Sequence, residues 1–405
     1  MKTILVICDG LGDRPIKELG NKTPLEAAKT PNLDKLAREG ICGVMHTLGF
    51  GLRPGSDTAH LSIFGYDPKE YYHGRGPFEA AGIGIDLRPG DIAFRGNMGT
   101  VDENLVVKDR RAGRIRDTTP YAKALDGIEI DGVKFIVKPG TGYRVGVVMR
   151  GPGLSSRISD PDPHELDVKV HEAKALDNSK EARFTANVLN KFLVKAHGIL
   201  KNLEANKQRI KEGNPPGNYL LVRGAGYVAD TPSFEKRYGL KAACIAGAGL
   251  YKGVARILGM DGIKAEGATG LPDTNIESKF KTAVKALNQY DFIFIHVKAA
   301  DSLAEDGNYK GKKEFIEKID KAAKQLVGLK DTLIVITADH TTPCALKTHS
   351  GDPVPLLMNG PGVRVDDIKE FGERNCAKGG LGHIKGLELM PEILNIIGKA
   401  PLVGA

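Results

Sequence analysis

Four short segments concentrate the side chains able to do chemistry. Asp9 directly follows the apolar run Lys2-Thr-Ile-Leu-Val-Ile-Cys8, and Ser56 lies in Pro54-Gly-Ser-Asp-Thr-Ala-His60, a Gly-rich turn followed by residues that can start a helix. Asp301-Ser-Leu-Ala-Glu305 runs into Asp306-Gly307, and Asp339-His340 precedes His349 by nine residues. Carboxylates and imidazoles gathered without thiolates suit Mn²⁺, Mg²⁺ or Zn²⁺, and two such ions can activate a nucleophile and neutralise a phosphoryl group. Taken singly, each segment has a plainer reading, since a strand-terminal Asp serves as a turn residue and a serine at a helix start as an N-cap. A serine there is also where a phosphorylated hydroxyl gains backbone N–H donors and a favourable dipole. The functional reading rests on their convergence.

That convergence comes from the elements that carry the segments. Lys2–Cys8, Asp291–Val297 and Thr332–Thr337 are continuous β-branched or aromatic runs, the pattern of strands buried on both faces, and each stops shortly before an acidic residue. Between the last two runs, Phe315, Ile316, Ile319, Ala322, Ala323, Leu326 and Val327 follow helical spacing and predict a helix from Phe315 to Leu329. Strand, helix and strand imply a right-handed crossover in an open parallel sheet, whose ligands sit beyond the carboxyl ends of the strands. From about residue 85 to 214 the pattern changes to short apolar runs, such as Lys134–Val137 and Arg144–Met149. One long helical stretch, Lys180 to Lys211, follows them. Arginines crowd this region at 95, 110, 111, 114, 116, 144 and 150. Gly213-Asn-Pro-Pro-Gly217 reads as a hinge or linker, and strand-like Tyr219–Val222 follows it. The expected organisation is a discontinuous metal-binding domain, 1–84 with 216–405, interrupted by a substrate-binding insert, 85–215.

Composition removes several classes. The 405 residues are 41% hydrophobic and 27% charged, a balance that excludes disorder, collagen and coiled coil and suggests two or three domains. No apolar run approaches the roughly 18 residues of a membrane span, and the N-terminal run is too short for a secretory segment, so a soluble, cytoplasmic protein without membrane partners is expected. Cys8, Cys42, Cys244, Cys344 and Cys376 are scattered, with no C-x-x-C pair, and read as small buried hydrophobes. The 58 Lys+Arg exceed the 50 Asp+Glu by eight. Nucleic acid binding would need aromatics interleaved with the basic stretches, and the Arg-rich region has few, so no nucleic-acid partner is expected. Gly247-Ala-Gly249-Leu-Tyr-Lys-Gly253 brings its third glycine one position late for a dinucleotide fingerprint; its Lys252 instead suits a phosphate as a mobile point charge.

Longer matches identify a resemblance. Val6-Ile-Cys-Asp-Gly-Leu-Gly-Asp13, Arg53-Pro-Gly-Ser-Asp-Thr-Ala-His-Leu-Ser-Ile-Phe-Gly-Tyr-Asp-Pro68, the Asp301 segment, Ala338-Asp-His-Thr-Thr-Pro343 and Thr348-His-Ser-Gly-Asp-Pro-Val-Pro355 resemble the archaeal-type cofactor-independent phosphoglycerate mutases of the alkaline phosphatase superfamily. The resemblance runs from end to end. It implies an α/β fold with an alkaline-phosphatase-like, mostly parallel sheet flanked by helices and a smaller inserted α/β domain. It also implies that Ser56 is the nucleophile carrying a phosphoserine, grouped with Asp9, Asp339 and His340 around one ion, while Asp301, Glu305 and His349 hold a second. Two divalent ions follow, Mn²⁺ first, with Mg²⁺, Co²⁺ or Zn²⁺ as alternatives, and no 2,3-bisphosphoglycerate.

Lys252 matches a phosphate-contacting lysine of the wider mutase family, and Arg95, Asp109, Arg110, Arg111, Arg114 and Arg144 are similar to substrate-facing positions. Guanidinium forks suit a substrate with a carboxylate and a phosphate. The implied reaction is a two-step transfer: Ser56 takes the phosphoryl group of 3-phosphoglycerate, glycerate stays bound and reorients, and its 2-hydroxyl takes the phosphoryl back. One departure stands out, since the family usually carries His where this chain has Glu305. The extra carboxylate should favour harder ions over Zn²⁺. The same metal residues would serve a metal-dependent phosphohydrolase or another phosphomutase of that superfamily.

Overall fold

The computed structural model describes residues 1–404. Along the chain the strands are β1 (Lys2–Cys8), β2 (Gly40–His46), β3 (Ile92–Val101), β4 (Val107–Asp109), β5 (Glu129–Ile130), β6 (Val133–Pro139) and β7 (Arg144–Arg150). They continue with β8 (Tyr219–Gly226), β9 (Ala242–Ile245), β10 (Asp261–Gly262), β11 (Phe292–Val297), β12 (Thr332–Thr337), β13 (Val354–Asn359) and β14 (Gly382–Lys385). They form two compact units, one of residues 1–71 with 232–405 and one of residues 72–231.

The first unit holds an eight-stranded sheet in the order β10-β9-β11-β1-β12-β13-β2-β14. Only β13 runs against its neighbours. β1 lies between β11 and β12, with Ile7 opposite His296 on one side and Thr337 on the other, so the three strands end side by side. Every residue of β11 and β12 is buried, which explains their unbroken apolar runs. The helix between them spans Tyr309–Ala323, six residues earlier than the apolar spacing predicts. Asn308 caps it by accepting from Gly311 N, and Leu326 and Val327 pack from turns that close at Gly328, where φ is +77°.

The second unit is built on an antiparallel sheet, β4-β3-β7-β6-β5, with β8 also paired to β3. The Lys180–Lys201 helix covers it, capped by Ser179 and burying Val188, Leu189 and Phe192; Phe192 stacks on Phe135 with ring centroids 3.7 Å apart. The single helix expected from 180 to 211 is broken at Asn202–Leu203, and a second helix runs Glu204–Lys211. The break lets the buried Asn206 amide donate to Leu200 O and Gly217 O and accept from Gly217 N. That network also corrects the reading of Gly213–Gly217 as a linker, since Thr100 Oγ1 donates to Pro216 O in the same place. The second unit is wider than 85–215 because the Gly76–Gly82 helix packs on β3 and β8 completes its sheet. All five cysteines are free and buried, and no helix among the described residues is long and apolar enough to cross a membrane.

Candidate active site

The aligned ends of β1, β11 and β12 set the site. Asp9 N donates to Val297 O at 2.9 Å, locking the end of β1 to that of β11. Gly10 follows with φ +63°, and a Cβ there would sit 2.8 Å from Asp301 Cα, so a glycine is required for the two loops to approach. Its N–H donates to Asp339 Oδ1, which also accepts from His340 N. Ser56 is the first residue of the Ser56–Ile63 helix, after an extended Gly55 that supplies no side-chain cap. Its buried Oγ therefore stands at a helix N-terminus, 3.3 Å from His340 Nε2.

His340 Nε2 is the centre of the arrangement. Besides Ser56 Oγ it lies 3.2 Å from Asp9 Oδ1 and 3.3 Å from Asp339 Oδ2. Thr342 Oγ1 donates its one proton to Asp301 Oδ1 at 2.8 Å and so accepts from His340 Nδ1 at 2.9 Å. Nδ1 thus carries a proton, and Nε2 is the ring nitrogen that faces the three oxygens. Burial opposes charge on His340, but Asp339 and Asp9 raise the imidazole to about 9. The two carboxyls diverge: burial and then Asp9 push Asp339 up to about 7. Burial opposes Asp9 too, but Lys298, His296 and His340 hold it well below the usual carboxylate range.

A second group adjoins the first. Asp301, in the Ala299–Glu305 helix, lies 3.6 Å from His349 Nε2. His349 Nδ1 donates to Pro54 O at 2.8 Å, leaving the Nε2 lone pair toward Asp301, and the ring stacks on His340 at 3.5 Å. Glu305 is exposed, one turn beyond Asp301; with Arg53, Pro54, Thr348 and His349 it lines a recess of about 270 Å³. Its carboxylate is outside the close donor groups found among the described residues.

Those groups fit divalent ions. Donor atoms of Asp9, Asp339 and His340, and of Asp301, His340 and His349, lie within 4.8 Å of one another. Asp9 Oδ1 and Asp339 Oδ2 are buried with no hydrogen-bond donor, a costly state that a cation relieves. The donor set is oxygen and imidazole, with no thiolate.

Four residues absent from the sequence-based set enter the site. Lys298 Nζ sits 3.2 Å from Asp9 Oδ2 and 3.0 Å from Asp301 Oδ2, spanning the two groups. Its position three residues before Asp301 on one helical face was the available signal. Tyr251 donates its hydroxyl to Asp9 Oδ2, whereas the adjacent Lys252 is exposed. His60 and His296 are fully buried beside them, and burial lowers them to about 4 and about 3, so both are neutral.

In the second unit, Arg95 on β3 faces Arg223 on β8 in register. Burial lowers Arg95 to about 10 although Glu79 opposes it, and its Nε and that of Arg144 are buried without an acceptor. Arg110 pairs with Asp162 through Nε and Nη2. Asp109 accepts from Arg111 N and Gly113 N and so shapes its own turn, while Arg111 and Arg114 are exposed. Half-buried Arg95 and Arg144, each with a buried Nε, thus differ from the turn-building segment 109–114.

A family model described as the metalloenzyme superfamily matches residues 1–396. The chain is 51% identical to 2,3-bisphosphoglycerate-independent phosphoglycerate mutase 1 of Methanocaldococcus jannaschii, over 100% of this chain and 99% of that protein. Among solved structures it is similar to the PH0037 protein of Pyrococcus horikoshii (TM-score 0.86, 40% identity, 100% of this chain and 99% of that one). It is also similar to the cofactor-independent phosphoglycerate mutase of Thermoplasma acidophilum (TM-score 0.74, 39% identity, 98% and 100%).

Proposed function

The chain belongs to the metalloenzyme superfamily and, within it, to the 2,3-bisphosphoglycerate-independent phosphoglycerate mutases, and from that premise we propose that it interconverts 3- and 2-phosphoglycerate through a phosphoserine at Ser56. The observation that carries the reading is the buried Ser56 Oγ at a helix N-terminus, 3.3 Å from His340 Nε2, beside two carboxylates. Asp9, Ser56, Asp339 and His340 would hold one divalent ion and Asp301 with His349, joined by Glu305, a second, of which Mn²⁺ best matches the oxygen-rich set. Such ions, when bound, supply Lewis acidity and charge neutralisation.

The chain's own residues do the rest. Ser56 Oγ forms the new P–O bond as the bond to the glycerate 3-oxygen breaks; the serine proton leaves and the departing oxygen gains one. The helix that begins at Ser56 offers its free N–H groups and dipole to the transferred phosphoryl group. Lys298 adds a fixed positive charge, with Lys252 as a mobile one. Arg95 and Arg144, with Arg110, Arg111 and Arg114, would keep glycerate bound by its carboxylate until the 2-hydroxyl takes the phosphoryl back.

The test is phosphorus NMR of Mn²⁺-loaded protein with 3-phosphoglycerate and no added 2,3-bisphosphoglycerate. Accumulation of 2-phosphoglycerate is expected. Release of inorganic phosphate alone would instead make the protein a phosphohydrolase.

A further inference from the structure

Ser56 stands with the Asp9 group and His349 with the Asp301 group, yet the segments that carry them are fastened to each other. Residues 47–55, between β2 and the Ser56–Ile63 helix, form no helix or strand, and Phe50, Leu52 and Arg53 among them are exposed. Residues 345–348, just before His349, are exposed as well. Both segments therefore run along the surface and need anchors other than burial. They touch at the backbone, since a Cβ on Gly351 would lie 2.4 Å from Gly51 O. Beside that contact they exchange hydrogen bonds. Arg53 Nε donates to His349 O at 2.8 Å, and His349 Nδ1 donates to Pro54 O at 2.8 Å. Arg53 Nη2 also donates to Thr348 Oγ1 at 2.9 Å. Ser56 follows Pro54 after a single extended residue, Gly55, so what holds residues 53 and 54 also holds the serine.

We propose, on the two-ion reading above, that Arg53 is a positioning residue: it clasps the Ser56 turn to the His349 loop and so fixes the serine hydroxyl relative to the ion that Asp301 and His349 would hold. Nε and Nη2 lie on one edge of a rigid plane, so two acceptors on neighbouring residues set the guanidinium in direction as well as in place. The His349 ring is set in turn, with Nδ1 on Pro54 O and Nε2 toward Asp301. Exposed bonds of this kind add little to stability. Their value is geometric, because a displacement of about 1 Å at a reacting group costs on the order of a hundredfold in rate. A lysine at position 53 would keep the positive charge and lose the fork, which separates a clasp from a mere charge near the phosphoryl group.

The experiment compares Arg53→Lys and Arg53→Met with wild type, in the full chain loaded with Mn²⁺ and supplied with 3-phosphoglycerate. Both variants should lower kcat by at least about thirtyfold and leave KM within about threefold. Both should weaken one Mn²⁺ equivalent by more than about tenfold in a titration without substrate, and quicken hydrogen exchange at residues 49–56. Thr348→Val, which removes one acceptor of the fork, should move the same readouts the same way by less, and it decides if the Arg53 variants fail to fold. Wild-type kcat in Arg53→Lys, or wild-type Mn²⁺ affinity in both Arg53 variants, overturns the clasp. A KM raised more than about tenfold at unchanged kcat overturns it too, by making Arg53 a substrate contact. Mn²⁺ affinity and hydrogen exchange are read without turnover. They therefore test the clasp even if wild type releases only inorganic phosphate, the result that would overturn the mutase reading alone.

Discussion

At the scale of single residues, the proposed roles divide between a reacting serine and side chains that would set ion preference. Ser56 is the first helical residue and Gly55 its N-cap, so the hydroxyl caps nothing. Ser56→Ala should therefore leave the melting temperature within a few degrees of wild type, while turnover falls by at least about a thousandfold, the loss of a nucleophile rather than of a contact. Activity within tenfold of wild type, measured on the folded variant, would remove Ser56 from that role. Glu305 tests the departure from the family. Glu305→Ala should weaken one Mn²⁺ equivalent by more than tenfold and spare the one at Asp9, Asp339 and His340, and Glu305→His should move preference toward Zn²⁺ or Co²⁺. Unchanged affinity in a Mn²⁺ titration of Glu305→Ala would mark it as a solvated recess residue. The acidic residues and histidines at strand ends were legible because polar groups interrupt apolar runs there. His60 and His296 were not, because each sits within an element whose pattern is that of the core, and only the tertiary fold brings them together.

At the scale of elements, one helix fastens the loops that carry the site. Lys312, in the Tyr309–Ala323 helix, is fully buried and donates to Gly12 O, Asp13 Oδ2 and Thr342 O at 2.9–3.0 Å. It thereby joins the loop after Asp9 to the residue whose hydroxyl links His340 and Asp301. Lys312→Met leaves the Asp13 carboxylate buried and unpaired, and should cost about 3–5 kcal/mol in urea unfolding. Lys313→Met removes a partly exposed pair with Glu317 on the same helix and should cost under about 1 kcal/mol. Equal effects of the two would show that burial does not set the value of Lys312. The strands β1, β11 and β12 were readable because burial on both faces writes a continuous apolar run. The helix break at Asn202 and the limits of the second unit were not, because they depend on Asn206 meeting Gly217 and on β8 pairing with β3, contacts no local pattern encodes.

At the scale of the molecule, folding and ion binding are one equilibrium in the first unit and separate in the second. The sheet order forces Asp9, Asp301 and Asp339 onto adjacent strand ends, so folding concentrates three buried carboxyls, two of them paired with Lys298 and facing His340, which is a cation when protonated. An ion that binds this arrangement and not the unfolded chain stabilises the fold by RT ln(1 + [L]/Kd), about 2.7 kcal/mol at a hundredfold excess over Kd. The second unit has its own core around Phe135, Leu189 and Phe192, and no donor of the close groups lies in it. Chelation should silence the enzyme and Mn²⁺ restore it. Hydrogen exchange read by mass spectrometry should show Mn²⁺ slowing exchange in β1, β11 and β12 by more than tenfold, with Lys180–Lys201 and β6 unchanged. Equal protection of both units would mean that the ion stabilises the chain as a whole. Unchanged exchange in both would mean that these carboxyls hold no ion.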